Sequence, residues 1–438
     1  MFKRFSKKGR LLLLLAAACL LAMQLIRPEI AHPPATGNLQ APPEVKDILE
    51  RACYDCHSNE TKLRWYDQLS PACWRVAAHV RKGREVLNFS NWQSLSPAAQ
   101  KGKLFESYNQ VQAGAMPLWD YQLLHPSASI TPHELALLKS YVGNLVSIKP
   151  ADSAAIAGAD QQYQQWTAGA HRPRQVPDAP NGIGYIPDYR NWQVVTTSDR
   201  FDNGTMRVIY GNDIAMKAIR ENRTDPWPNG TIFAKAAWKA LQDANGHVRT
   251  GEFWQVEFMI KDNKKYADTK GWGWARWRGP QLEPYGRHIL FSAECVNCHR
   301  PMKDKDYIFT IPAPLPASSQ FSEKGLKVIT SSINRKAGTM STLYGNQLAF
   351  DHAVEATATG YPAGAELALV TWRQREDPHW FGASIPGALQ SIEVVQVSTA
   401  LAYRQYAGAA LALVPNTDTL QVNARIKYIL AQKPSVIP

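Results

Sequence analysis

Cysteine is scarce in this chain, with 6 among 438 residues. That is too few, and too unevenly placed, for the disulfide framework of a small exported protein. Four fall into two strings, Cys53-Tyr54-Asp55-Cys56-His57 and Cys295-Val296-Asn297-Cys298-His299. Cys19 lies in an apolar run and Cys73 has no evident partner. Also missing is any Arg/Lys cluster interleaved with aromatics in a nucleic-acid-binding pattern. Nucleic acid is therefore not an expected partner, although the net charge is +12. Five of those charges, Lys3, Arg4, Lys7, Lys8 and Arg10, crowd the first ten residues; twelve less five leaves +7. So modest an excess suits an acidic redox partner or a membrane surface. The length excludes a single ordinary core and implies roughly two to four domains.

After the basic start comes an apolar run from Leu11 to Met23, continuing through Leu25-Ile26. It reads as an uncleaved anchor. Cleavage to a soluble protein and lipidation at Cys19 are the alternatives, since no Ala-x-Ala site is followed by a clear polar start. The positive-inside rule leaves the bulk outside the cytoplasm, in a bacterial periplasm. Residues 1–30 are thus an anchor or signal segment, and the Pro- and Ala-rich residues 31–43 a tether.

Residues 44–148 read as one all-α domain. Glu44 to Ala52 carries apolar residues at helical spacing and leads into Cys53. A second helix starts at Ser96-Pro97. A third starts at Thr131-Pro132-His133-Glu134, a capping box with proline at the first helical position. Residues 149–185 are rich in Ala, Gln, Pro and Gly without sustained periodicity, and read as a linker. Residues 186–315 alternate like strands, at 192–197, 206–210, 231–235 and 253–260, with a short helix at 213–220. Most of the 14 tryptophans lie between 166 and 280.

Residues 316–438 repeat that β-rich unit in weaker form. Asn203-Gly204-Thr205-Met206 and Tyr210-Gly211-Asn212 recur as Ala337-Gly338-Thr339-Met340 and Tyr344-Gly345-Asn346. Pro228-Asn229-Gly230 with Trp238 recurs as Pro362-Ala363-Gly364 with Trp372. No C-x-x-C-H follows in the second copy.

C-x-x-C-H is the signature of covalent haem attachment. Two thiols add to the haem vinyl groups and the adjacent histidine ligates the iron. A zinc site would need further soft ligands that the remaining cysteines do not supply. A redox dithiol would want a βαβ context. Two c-type haems are therefore expected, on Cys53, Cys56 and His57 and on Cys295, Cys298 and His299. For the first iron, Met116 in Gly114-Ala115-Met116-Pro117 is the expected sixth ligand, with His79 and His125 as competitors. The second has no comparable Met-Pro, and Met302 is too near His299 in sequence to cross to the far face. Its distal side is expected to be open.

These strings resemble known families. The first unit is similar to a small c-type haem-binding domain with C-Y-D-C-H-S-N-E-T, Trp65-Tyr66, Pro71 to Trp74, Gly83-Arg84, Leu87 to Trp92 and Met-Pro. The second resembles the cytochrome P-460 family. Tyr189 to Trp192, Pro228 to Thr231 followed by Lys235, Glu257 to Asp262, Cys295 to His299 and Asp306 to Thr310 carry that likeness. The resemblance implies a β-rich, dimeric α+β fold with a five-coordinate c-haem cross-linked to a lysine, oxidising hydroxylamine or reacting with nitric oxide. Relatives without the cross-link bind gases. On this resemblance Lys235 is the cross-linking lysine, Glu257 the distal carboxylate and Arg207 the distal arginine, expected to pair with Glu257. In the weaker copy Lys235 becomes Leu369 and Arg207 becomes Ser341, while Glu257 stays as Glu393.

The expectation is a multidomain chain: an all-α cytochrome c-like domain, a P-460-like domain and a degenerate tandem copy that pairs with it as a pseudo-dimer. Its haems pass electrons from a small nitrogen compound to an acceptor. A gas-binding protein without catalysis and a pure electron carrier are the other readings.

Overall fold

The computed structural model describes residues 7–146, 149–169, 175–288, 291–313, 325–355, 360–408, 411–415 and 418–438. The chain divides into two compact units, Met1–Leu145 and Val146–Pro438.

The first unit is helical: α1 (Lys7–Met23), α2 (Pro43–Ala52), α3 (Tyr54–His57), α4 (Ala72–Val86), α5 (Pro97–Gln112), α6 (Trp119–Leu124) and α7 (Pro132–Gly143). The leucines of α1 are exposed. This helix has 17 residues; among the described residues no helix is long and apolar enough to cross a membrane. Lys3 and Arg4 lie outside the described residues. α2 buries Val45, Ile48, Leu49 and Ala52, one helical face. α7 opens with the capping box: the Thr131 side chain accepts from the Glu134 N–H, and Glu134 accepts from the Thr131 N–H at 2.8 Å.

The tether expectation is corrected here. Thr36 and Gly37 donate to the Ser90 carbonyl (3.0 and 3.1 Å), and Leu39 is buried. Residues 31–43 pack along the helical unit because its backbone satisfies theirs.

The second unit begins with another correction. Residues 149–185 are not a free linker: they contain α8 (Ser153–Thr167), and Trp166, Ala179 and Ile183 enter the main core. The Trp166 indole N–H donates to the Ile437 carbonyl at 3.1 Å. Ala- and Gln-rich sequence carries little amphipathic signal, and a few large side chains supply the burial.

Then follow β1 (Gln193–Arg200), β2 (Thr205–Gly211), α9 (Asp213–Arg220), β3 (Ile232–Gln242), β4 (His247–Lys261), β5 (Trp272–Arg278), β6 (Glu283–Pro284) and α10 (Phe291–His299). The second copy supplies β7 (Lys327–Asn334), β8 (Thr339–Gly345), α11 (Gln347–Glu355), β9 (Glu366–Glu376), β10 (Ser384–Val397), β11 (Leu401–Ala407), β12 (Ala412–Val414) and α12 (Thr419–Leu430). Among the described residues all twelve strands belong to one sheet. In it β1-β2-β3-β4-β7-β8-β9-β10 are neighbours in that order, and β10 pairs back to β1. The circuit of eight strands is closed and hides its edges.

The two junctions between the copies use the same positions. Val248 pairs with Ile333, and Ser384 with Asp199. Ile333 is the counterpart of Asp199, and Ser384 that of Val248, in the registers that relate Trp372 to Trp238 and Glu393 to Glu257. Tyr210 and Tyr344, Trp238 and Trp372, Val256 and Ile392 share one core. The copies are therefore one compact unit rather than two domains. The expected boundary at 315–316 lies outside the described residues.

A shared core implies shared cooperativity. Trp372→Ala, in the copy without a haem motif, should cost about 3–5 kcal/mol. Urea unfolding of the second unit should then lose its sheet signal and its tryptophan signal in one transition. Two separate transitions would contradict this.

Candidate haem sites

In the first unit, α2 runs into the haem string almost without interruption. The Cys53 N–H donates to Leu49, and the His57 N–H to the Cys53 carbonyl (both 2.9 Å). Cys53, Cys56 and His57 thus fall within about one turn. The string rests on α4. A Cβ at Gly83 would lie 2.4 Å from the Cys56 carbonyl oxygen, so only glycine permits this approach. Arg84 holds the outgoing loop, donating to the Ser58 carbonyl (2.7 Å), the Ala31 carbonyl (2.6 Å) and the Thr61 hydroxyl (2.9 Å).

The His57 Nδ1–H donates to the carbonyls of Gly83 (3.0 Å) and Leu87 (3.2 Å). That fixes the tautomer and leaves the Nε2 lone pair for a metal. Burial holds the ring neutral by lowering its pKa. Burial pushes the Cys53 and Cys56 thiols up to about 12, the opposite of a redox dithiol. No disulfide joins them.

Met116 is half-buried on the loop between α5 and α6, its N–H on the Gln110 carbonyl at 3.2 Å. His125 is already engaged: Nδ1 donates to the Tyr121 carbonyl at 2.9 Å, and Nε2 lies 3.3 Å from Asp67 Oδ2. His79 lines a cleft beside Cys56, 3.9 Å from Asp120.

In the second unit, α10 carries Cys295, Cys298 and His299. The His299 Nδ1–H donates to the Tyr307 carbonyl at 2.7 Å, again leaving Nε2 free. Burial lowers this imidazole to about 4, so it is neutral. Its ring makes edge-type contacts with Trp274 (4.6 Å between centroids) and Phe309 (4.9 Å). Asp306 fixes the loop that bears Tyr307: it accepts from the buried Lys261 (2.7 Å) and from the Trp227 N–H (2.9 Å). Two strings that carried the family likeness, Glu257–Asp262 and Asp306–Thr310, thereby lock each other and His299.

Beside α10 lies a buried charge cluster. Glu257 forms an ion pair with Lys235 and another with Arg276, whose Nε is 3.0 Å from Oε1. Gln255 also donates to Glu257. Burial opposes ionisation of Glu257, but Arg276 and Lys235 outweigh it and hold the carboxyl far below its ordinary range. Lys235, with a quarter of its side chain exposed, is lowered by burial to about 8. His299 and Cys295 both feel Lys235, Glu257 and Arg276 electrostatically, so the cluster and the haem string share one site.

The expected Glu257–Arg207 pair is corrected. The strand order β2-β3-β4-β5 sets Arg276 directly opposite Glu257, whereas Arg207 is two strands away. Arg207 is half-buried with its Nε enclosed and unpartnered, and desolvation lowers it to about 9. Arg276, Gln255 and Trp274 are site residues that sequence reasoning missed; the period-2 row Trp272, Trp274, Arg276 was their signal. Three half-buried cations surround one carboxylate. That surplus suits a cofactor bearing carboxylates, as haem does.

In the second copy Leu369 joins an apolar cluster with Ile426 and Ile429 of α12. The buried Glu393 is held there by Arg425 of α12, at 2.8 and 2.6 Å, and by the Tyr403 hydroxyl at 2.5 Å.

Two outcomes follow. If each string carries its own covalent haem, Gly83→Ala should cost the first unit its haem and leave the second loaded, read by intact mass. Glu257 has its folded pKa below the unfolded value of 4.5. Its stabilising contribution is complete above that value and fades as pH falls toward the folded pKa. The urea midpoint of the second unit should therefore drop between about pH 5 and 3, and Glu257→Gln should flatten that slope. Equal slopes would contradict the pairing.

Residues 18–144 match a family model described as a haem-binding domain, and residues 186–310 one described as cytochrome P-460. No curated protein matches the chain. The α-helical unit followed by a β-rich unit is the order these matches require. The chain is a haem protein that joins a haem-binding domain to a cytochrome P-460 domain.

Proposed function

We propose that this is an envelope-facing di-haem c-type cytochrome whose P-460 domain oxidises a small nitrogen compound, hydroxylamine, and passes the electrons to the N-terminal haem. The supporting observation is the Lys235–Glu257–Arg276 cluster beside His299. Each haem is attached through the two thiols of its string, with His57 and Met116 as the ligands in the first unit and His299 in the second. When bound, haem supplies the one-electron redox chemistry.

The protein's own residues handle protons and position. N–H oxidation releases protons along with electrons, and Glu257 is the acceptor. Its basicity depends on Lys235. While Lys235 is an ammonium, Glu257 has two cations against it and takes a proton poorly. Were Lys235 held on the macrocycle as a neutral amine, Glu257 would face one cation fewer and would lie nearer the working range. Arg276 keeps the carboxylate in place, and Arg207 offers a buried N–H toward an anionic group.

One observation favours a second reading. Lys235 is ion-paired with Glu257, and an amine held so is not free to attack. If it stays paired, Glu257 remains a fixed anion and the site binds nitric oxide without turnover.

Two further proposals complete the picture. The second copy takes the place of a partner subunit, supported by the twofold use of the Val248–Ile333 and Asp199–Ser384 junctions. The N-terminal basic and apolar segment holds the chain at the inner membrane; cleavage or lipidation at Cys19 would instead appear in the mass of the mature N-terminus.

The deciding experiment compares wild type with Lys235→Ala and Glu257→Gln, each matured with haem. Wild type should carry two haems and a red-shifted band that Lys235→Ala abolishes. Glu257→Gln should keep both haems and slow hydroxylamine-dependent reduction about 100-fold. Two ordinary c-type spectra, with no effect of either substitution, would leave the gas-binding reading.

A further inference from the structure

The second copy has lost the cofactor residues yet carries a longer loop than its counterpart. The last pair joining β3 to β4, Gln242 and Val248, is six residues apart; the last pair joining β9 to β10, Glu376 and Ser384, is eight apart. The short hairpin is a polar turn, Asp243-Ala244-Asn245-Gly246. The long one reads Asp377-Pro378-His379-Trp380-Phe381-Gly382-Ala383.

That loop reaches the other copy's site. His379 Nδ1 lies 2.8 Å from the Phe309 carbonyl, to which it donates. The Trp380 ring meets the Phe309 ring edge-on at 5.7 Å. Phe309 in turn stands against the His299 imidazole. The far side of Trp380 is fastened to the first copy: its indole N–H donates to Asp202 at 3.0 Å, and Arg200 lies over its ring at 4.4 Å. Arg200 is itself ion-paired with the buried Asp202. The Asp202 N–H donates to the Gly382 carbonyl at 3.1 Å.

We propose that the second copy completes the first copy's haem pocket: its β9–β10 loop, through His379 and Trp380, clamps Phe309 and so fixes the orientation of the proximal His299. This rests on the reading of His299 as the iron ligand. His379 and Trp380 are positioning residues. Phe309 and Trp274 both meet the imidazole in tilted, edge-type contacts. A slack Phe309 lets the ring rotate about the bond that the Tyr307 carbonyl anchors. Ring orientation alters iron–imidazole bonding, a property that mere filling of a seam would not change.

The test uses the full chain matured with haem, as wild type, His379→Ala, His379→Asn and Trp380→Phe. Haem content is read by intact mass, and the iron–histidine stretching band of the reduced His299 haem by resonance Raman. The midpoint potential of that haem is the second readout. His379→Ala should keep both haems but shift and broaden the band and move the potential. His379→Asn, which restores an N–H toward the Phe309 carbonyl, should return both. Trp380→Phe keeps a ring on Phe309 but loses the tie to Asp202, and should broaden the band partway. An unchanged band and potential in fully loaded His379→Ala overturn the proposal. If His379→Ala does not fold, an unchanged band in Trp380→Phe overturns it and a broadened one supports it. A wild type whose mass shows no haem on the second string overturns the ligand reading itself, and the proposal with it.

Discussion

A carboxylate inside a sheet has to be paired, and in the P-460 unit that requirement organises the site. Lys235, Glu257 and Arg276 are directly opposite one another across β3, β4 and β5. Cross-strand neighbours lie about 5 Å apart, close enough for both cations to reach one carboxylate. The row fixes the register of three strands, because a slip by one residue would turn every member to the other face. It also sets which side of the sheet α10 can cover with its cysteines and His299. Lys261 and Asp306 repeat the device four residues further along β4, tying that strand to the loop that presents the Tyr307 carbonyl.

The closed circuit explains why the second copy persists without a haem motif. A single copy would leave strands at both ends with unpaired N–H and C=O groups. The two junctions close those ends at equivalent positions, and the paired tyrosines and tryptophans fill the space between. What the second copy keeps is the set that shapes the circuit; what it drops is the set that meets the cofactor.

Local signals were readable in the sequence because local physics writes them. The two C-x-x-C-H strings, the Thr131–Glu134 box and the strand carrying Lys235 needed no tertiary information. Arg276 did not announce itself, since its role depends on which strand lies beside β4. The same uncertainty made Arg207 look like the partner of Glu257; strand order, not residue type, decides between them. Residues 31–43 and 149–185 were misread for a related cause. Their backbone groups and few large side chains are satisfied by distant surfaces, so their own composition resembles a linker. Trp380 was the least legible of all, lying in the copy that had lost the motif.

Charge balance separates the two copies more sharply than sequence similarity does. In the first, Arg207, Lys235 and Arg276 surround one carboxylate. In the second their counterparts are Ser341, Leu369 and Gln405, the last two opposite Glu393 in the sheet. Glu393 would then be an uncompensated buried anion, which is costly. Arg425 on α12 restores balance one to one, and the apolar side of that helix, Ile426 and Ile429, covers Leu369. The copy without a cofactor motif is thus neutral and sealed by its own helix. The copy with the motif is left positive, a state that folding tolerates only where another anion completes it. The surplus of enclosed cations is therefore found in the copy that carries the C-x-x-C-H string and not in the copy that lacks it.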